Sequence, residues 1–128
     1  MLHAAAQDKP YSCFVRADTK ISFMAMPDAI KSLLMLMDVP REKLSNNIYN
    51  IAAFAITADE FRQRALKSFP DARITYEPSL RRQGIVDSWP EDMDDLMART
   101  DWNWKADYGV DRFFDDYFLP EIRRRYGK

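Results

Sequence analysis

The ten residues Arg81 to Pro90, RRQGIVDSWP, bring two guanidiniums, an amide, a hydroxyl and an indole close together in the chain. Arg81, Arg82, Gln83, Ser88 and Trp89 read together as one wall of a binding site, able to recognise a ligand by charge, hydrogen bonding and apolar contact. Each also has a plainer role. Arg81 and Arg82 suit a solvated surface, and Trp89, like Trp102 and Trp104, suits packing. Bond-making chemistry has few candidates, because Cys13 and His3 are the only residues of their kinds and His3 stands close to the start. A Cys/His zinc cage and an internal disulfide are excluded. The acidic run Glu91-Asp92-Met93-Asp94-Asp95 suits electrostatic capping of a helix better than a metal, which needs convergent oxygen ligands. No metal and no catalytic residue is assigned.

With 128 residues the chain is one domain, and a chain of that size buries about two thirds of the surface its unfolded form exposes. Its 19 basic and 20 acidic residues leave a net charge of -1, so no broad positive field draws nucleic acid or anionic lipid. The apolar run Ser32 to Met37 falls far short of the roughly 20 residues that cross a bilayer, and no membrane partner is expected. The first seven residues lack the basic and apolar regions of a secretory signal. A reducing cytoplasm fits the lone cysteine.

The elements that must hold the Arg81–Pro90 wall alternate in type, an α/β or α+β pattern of short strands with about four to five helices. Met1 to Gln7 forms an opening helix ended by Asp8-Lys9-Pro10, and Tyr11–Val15 and Ile21–Met26 are strands able to pair with each other. Pro27 suits the first turn of a helix running to Met37, and Asp28 favours its positive end. Asn47 to Ala52 is β-leaning. Thr57 and Glu60 form a capping box for a helix of about Ala58–Phe69, with Phe61, Ala65, Leu66 and Phe69 inward. Arg73–Glu77 is a strand, and the Arg81–Pro90 stretch follows as loop and short strand. Asp94 or Asp95 caps a helix carrying Leu96, Met97 and Trp102. Val110, Phe113, Phe114, Tyr117 and Phe118 then mark a last helix that Pro120 kinks or interrupts.

Two absences narrow the function. Gly84, Gly109 and Gly127 are too far apart to build the glycine turn that seats a dinucleotide pyrophosphate. None of the six tyrosines is followed four residues later by lysine, so no Tyr-x-x-x-Lys couple is present for proton transfer to a hydroxyl. Yet Lys9-Pro10-Tyr11-Ser12-Cys13-Phe14, Met24-Ala25-Met26-Pro27-Asp28-Ala29-Ile30, Tyr49-Asn50-Ile51-Ala52-Ala53-Phe54, Arg82 to Pro90 and Asp101-Trp102-Asn103-Trp104 follow one another in a specific order. In that order the chain resembles the carboxy-terminal part of short-chain-type L-threonine 3-dehydrogenases, within the extended short-chain dehydrogenases and the NAD-dependent epimerase/dehydratase superfamily. The resemblance runs from Lys9 to Tyr126. It implies a substrate-side domain whose Rossmann half, with NAD and the catalytic tyrosine and lysine, is not among these residues.

The resemblance also bears on the ligand. Nucleotide-sugar epimerases of the superfamily carry an arginine seven residues before the position of Asp28, and here that residue is Ile21. A diphosphate grip is therefore not implied. A small amino or hydroxy acid is, with Arg81 or Arg82 as a carboxylate clamp and Trp89 as an apolar wall. Three readings follow: a truncated relic or fragment of a dehydrogenase without NAD chemistry of its own, a stand-alone small-carboxylate-binding or protein-interaction module, and one subunit of a split NAD-dependent dehydrogenase. In the split dehydrogenase a Rossmann-domain chain covers the surface around Met24–Ile30 and the opening helix; in the other two readings that surface lacks its Rossmann partner. A two-fold homodimer, open to exchange of that helix, is the simplest substitute.

Overall fold

The computed structural model describes residues 1–127, in a mixed α/β arrangement. Helix α1 (Leu2–Ala5) opens it, and strands β1 (Tyr11–Cys13), β2 (Lys20–Phe23), β3 (Phe54–Thr57) and β4 (Ile74–Tyr76) make two separate sheets. The first two strands do not pair with each other. β1 runs parallel to β4, with Tyr11 opposite Ile74, and β2 runs antiparallel to β3, with Phe23 opposite Phe54. The segment between β1 and β2 cannot serve as a hairpin turn because its carbonyls are engaged elsewhere. Phe14 O accepts from Ser79 N, while Ala17 O and Thr19 O accept from Asp59 N and Ala58 N. The Asn47–Ala52 run likewise forms no strand: Tyr49 and Ala52 bond instead to Asp101 and Trp104, and the strand falls at Phe54–Thr57.

Helix α2 (Met26–Met37) starts with Pro27 in its first turn, where a missing N–H leaves nothing unsatisfied. Its burial is the reverse of an ordinary amphipathic helix. Asp28 and Ser32 are its buried residues, whereas Met26, Ile30, Leu33, Leu34 and Met37 are exposed along one side. Helix α3 (Ala58–Ser68) has the capping box at its start: Thr57 N donates to Glu60 Oε2 at 2.7 Å, and Glu60 N donates to Thr57 Oγ1 at 3.1 Å. Glu60 is accordingly held below the ordinary carboxylate value, first by the Thr57 backbone bond.

The Arg81–Pro90 stretch opens as helix α4 (Leu80–Val86), not as loop and short strand. Arg, Gln and Leu are good helix formers, and one exposed glycine costs too little to prevent the turn. Gln83 N donates to Ser79 O and Asp87 N to Gln83 O, both at 2.8 Å. Helix α5 (Leu96–Trp102) begins after Asp95, but the carboxylate that takes its first amide belongs to Asp94. Asp95 turns inward and pairs with Arg99 at 2.6 Å. Pro120 does not break the last helical segment. From α6 (Val110–Arg112) the chain widens into a π-helical stretch, Phe113–Phe118, and continues as α7 (Leu119–Tyr126), with Pro120 in its first turn.

Two cores result. The main one joins Leu2, Ala6, Ile56, Ala65 and Ile74 to Phe113, Phe114, Leu119 and Ile122. Phe114 lies 5.0 Å from Phe61 in an edge contact of the kind aromatic rings prefer. The opening helix is anchored inward, with Leu2, Ala5 and Ala6 buried, while His3 stays exposed on its other side. The second core holds Ala98, Trp102 and Trp104 against Met24, Met35 and Leu36. Asp28 bridges the two. Its carboxylate, with no exposed surface, accepts from Asp107 N at 2.8 Å and Tyr108 N at 3.0 Å, on the segment leading from Trp104 to α6.

Candidate functional site

The carboxy-terminal end of α4 borders a cavity of about 300 Å³. Its floor is Cys13, Ile21, Phe23, Ile56 and Phe61, from β1, both strands of the antiparallel sheet and α3. One wall is Phe14, Val15 and Thr19, on the segment after β1, and the other is Val86 and Trp89. These residues meet because β1 ends beside β4, which delivers the chain directly into α4. Residues about 75 positions apart in sequence, Phe14 and Trp89, thereby line the same cavity.

The five sequence candidates are separated by the helix. Trp89 is the one that lines the cavity, and it remains 54% exposed, so the indole stands at the mouth and not in the interior. Arg82 lies on the outer side of α4, with its guanidinium 4.8 Å from the centre of the Phe14 ring. It is a rim cation, one ring away from the cavity. Arg81 is exposed on the same helix. Ser88 spends its hydroxyl on Ile85 O at 2.7 Å.

Gln83 turns inward, is 5% exposed and is fully occupied by the protein. Its Oε1 accepts from Arg16 N at 2.7 Å, and its Nε2 donates to Thr19 Oγ1 at 3.0 Å and Asp87 Oδ1 at 2.5 Å. Arg16 meets both oxygens of Asp87 at 3.1 Å. The Asp87 carboxyl is held below its ordinary value, chiefly by Arg16 and then by Gln83. Arg16, Thr19 and Asp87 were not singled out by the sequence. A cation and a carboxylate 71 residues apart carry no local pattern, and only the parallel pairing of β1 with β4 brings them together.

Two other polar groupings involve residues that do not line the cavity. Asp101 Oδ2 accepts from Ser45 N, Ser45 Oγ and Tyr49 OH, and the Ser45 hydroxyl is the main cause of its lowered pKa. Tyr76 donates to Asp59 at 3.1 Å, and burial first and that bond second push its pKa up to about 12. A larger open groove, about 600 Å³, runs beside His3, Met24, Phe113 and Tyr117, and none of the five candidates touches it. Among the described residues, no group of three or more His, Cys, Asp or Glu is placed to hold a metal ion. Among the same residues no helix is long and apolar enough to cross a membrane.

Comparison with known proteins places this geometry. No family model matches the chain. The mitochondrial L-threonine 3-dehydrogenase of Bos taurus is 38% identical over 110 residues, covering 86% of this chain and 30% of that protein. An uncharacterized epimerase/dehydratase of Staphylococcus saprophyticus is 34% identical over 107 residues, covering 83% of this chain and 33% of the relative. Among solved structures, a GalE-like L-threonine dehydrogenase from Cupriavidus necator is 40% identical with a TM-score of 0.83, over 90% of this chain and 42% of that one. The L-threonine dehydrogenase of Clostridium difficile is 32% identical with a TM-score of 0.88, over 98% and 39%. The chain spans about a third of the length of these curated relatives. It belongs, as a match to their carboxy-terminal part, to the family of L-threonine 3-dehydrogenases and epimerase/dehydratases.

Proposed function

We propose that this chain is the substrate-side part of an NAD-dependent, threonine-dehydrogenase-like protein and carries out no catalysis or NAD binding alone. Its ligand on this reading is a small amino or hydroxy acid. The observation that carries the reading is the position of Trp89, at the mouth of the apolar cavity with the Arg82 cation one ring away. The apolar walls take the ligand's carbon skeleton, and Arg82, or Arg81 beside it, takes the carboxylate. Gln83 and Ser88 then act through the wall they hold, since both are bonded within the protein. Hydride transfer needs a nicotinamide held against the substrate hydroxyl, and the residues for that belong to a Rossmann half.

The outer side of α2 supports the same partnership. Met26, Ile30, Leu33, Leu34 and Met37 form an apolar stripe wide enough to seat another folded unit. In a full dehydrogenase or a split one, that unit is the Rossmann half. Where the 128 residues stand alone, a second copy covers the stripe and the chain is a homodimer. Its single cysteine suits a cytoplasmic setting. A stand-alone carboxylate-binding module uses the same cavity without the partner.

Calorimetry and thermal shift with threonine, glycine and related hydroxy acids at millimolar concentration test the reading. Binding that is lost in Arg82→Ala and weakened in Trp89→Ala is expected. No heat and no shift across the panel would remove the ligand assignment.

A further inference from the structure

The cavity has one wall that is lightly held. Its floor is built from strands and α3, and the Phe14–Thr19 wall is fastened by backbone bonds to Ser79, Ala58 and Asp59. The Val86–Trp89 wall is different. Asp87, Ser88 and Trp89 bond through their backbone N–H groups to Gln83 O, Ile85 O and Val86 O on their own side, and the tie from this turn to the opposite wall is Asp87, whose two oxygens both meet Arg16. The Arg16 and Asp87 side chains are 49% and 43% exposed. An ion pair that wet is weak and is screened by salt, so it opens at small cost.

We infer that the Arg16–Asp87 pair is the latch of the cavity, and that its release swings the Asp87–Trp89 turn away from the mouth. Gln83 is the fixed side of the latch: it is buried, and its bonds to Arg16 N and Thr19 hold α4 to the opposite wall when the ion pair is broken. Trp89, two residues beyond Asp87, is the part that moves. Arg16 is therefore a positioning residue for the indole. Its bearing on ligand binding rests on the proposal above, whereas the latch itself rests on the walls alone.

The molecule contains its own reporter. Cys13 is the single cysteine, lies on the cavity floor and is 3% exposed, so its alkylation rate measures opening. With iodoacetamide at low salt, Asp87→Asn is expected to raise the rate about two- to fivefold, the range set by loss of one exposed ion pair. The unaltered chain should approach that rate in 1 M NaCl, while Asp87→Asn should show little response to salt. Arg16→Gln, which removes the same ion pair from the other side, should raise the rate by a similar factor and likewise lose the response to salt. Thermal melting of each variant separates local opening from loss of fold, and Tyr49→Phe, which weakens the distant Asp101 cluster, should leave the rate unchanged. Equal rates in Asp87→Asn and the unaltered chain, or a rate that follows overall stability in every variant, would overturn the latch. Addition of 10 mM threonine distinguishes the two claims. A salt-gated rate that threonine does not slow leaves the latch standing and counts against the ligand reading.

Discussion

Replacing Asp28 by alanine removes a carboxylate that joins the two cores. Asp28 has no exposed surface, and its two oxygens accept one backbone N–H each, from Asp107 and Tyr108. A hydrogen bond to a charged acceptor contributes about 1.5–3 kcal/mol, so the gross loss is about 3–6 kcal/mol. Removing the carboxylate also removes the cost of burying it, which offsets part of that sum. The expected net loss is about 3 kcal/mol, a large share of the roughly 5–15 kcal/mol that stabilises a domain. Asp28→Asn keeps one acceptor oxygen but turns an NH2 toward the other amide, and it should fall between the two. Urea unfolding followed by far-ultraviolet circular dichroism gives both numbers, with an unchanged slope as the sign that the folded state is otherwise intact. If Asp28 acted only on the helix terminus, alanine would cost about 0.3–1 kcal/mol, and less at high salt. A loss that small would refute the bridging role.

Other outcomes follow from particular groups. Leu33→Glu together with Met37→Lys should abolish self-association in light scattering across a dilution series while changing stability by less than about 0.5 kcal/mol, because both side chains are exposed; an unaltered chain that stays monomeric at every concentration would contradict the expected dimer. Asp87, Asp101 and Asp107 all have folded values below the ordinary 3.8, so their stabilisation is complete above that value and disappears as pH falls through the lower folded values. The melting temperature should therefore be level from pH 8 to 5 on this account and drop below about pH 4. Tyr76 has the opposite sign: its folded value is raised, so its contribution is complete below 10 and is lost as pH rises through about 12. Ultraviolet titration should show one tyrosine ionising that late.

The residues that were legible in the sequence are those whose signal is local. Thr57 and Glu60 stand three apart and cap α3 as their spacing requires, and Phe113, Phe114, Tyr117 and Phe118 stand at helical intervals and enter the core or pack against it. The strand expected at Arg73–Glu77 is legible for the same reason and lies at Ile74–Tyr76, one residue shorter at each end. What the sequence concealed depends on distant partners. The pairing of β1 with β4 rather than β2 is decided by where Phe14, Ala17 and Thr19 place their carbonyls. The helical state of α4 separated Arg81 and Arg82 from Gln83 and Trp89, which a strand would have alternated differently. Gln83 illustrates the limit: its type suggested a ligand contact, but its burial among Arg16, Thr19 and Asp87 makes it a joint. Asp28 beside Pro27 marks the helix start in the sequence, and it stands there in the structure, yet its partners lie 79 and 80 residues away.

The most direct test of the account is a chimera. The Cupriavidus necator L-threonine dehydrogenase, 40% identical over 90% of this chain, would have its matching segment replaced by these residues. Absorbance of NADH at 340 nm would then follow threonine oxidation in the chimera and in the 128-residue chain alone. The account predicts NAD-dependent turnover in the chimera, reduced by Trp89→Ala, and none in the isolated chain. A chimera that folds and binds NAD but does not oxidise threonine, or turnover by the isolated chain, would contradict it.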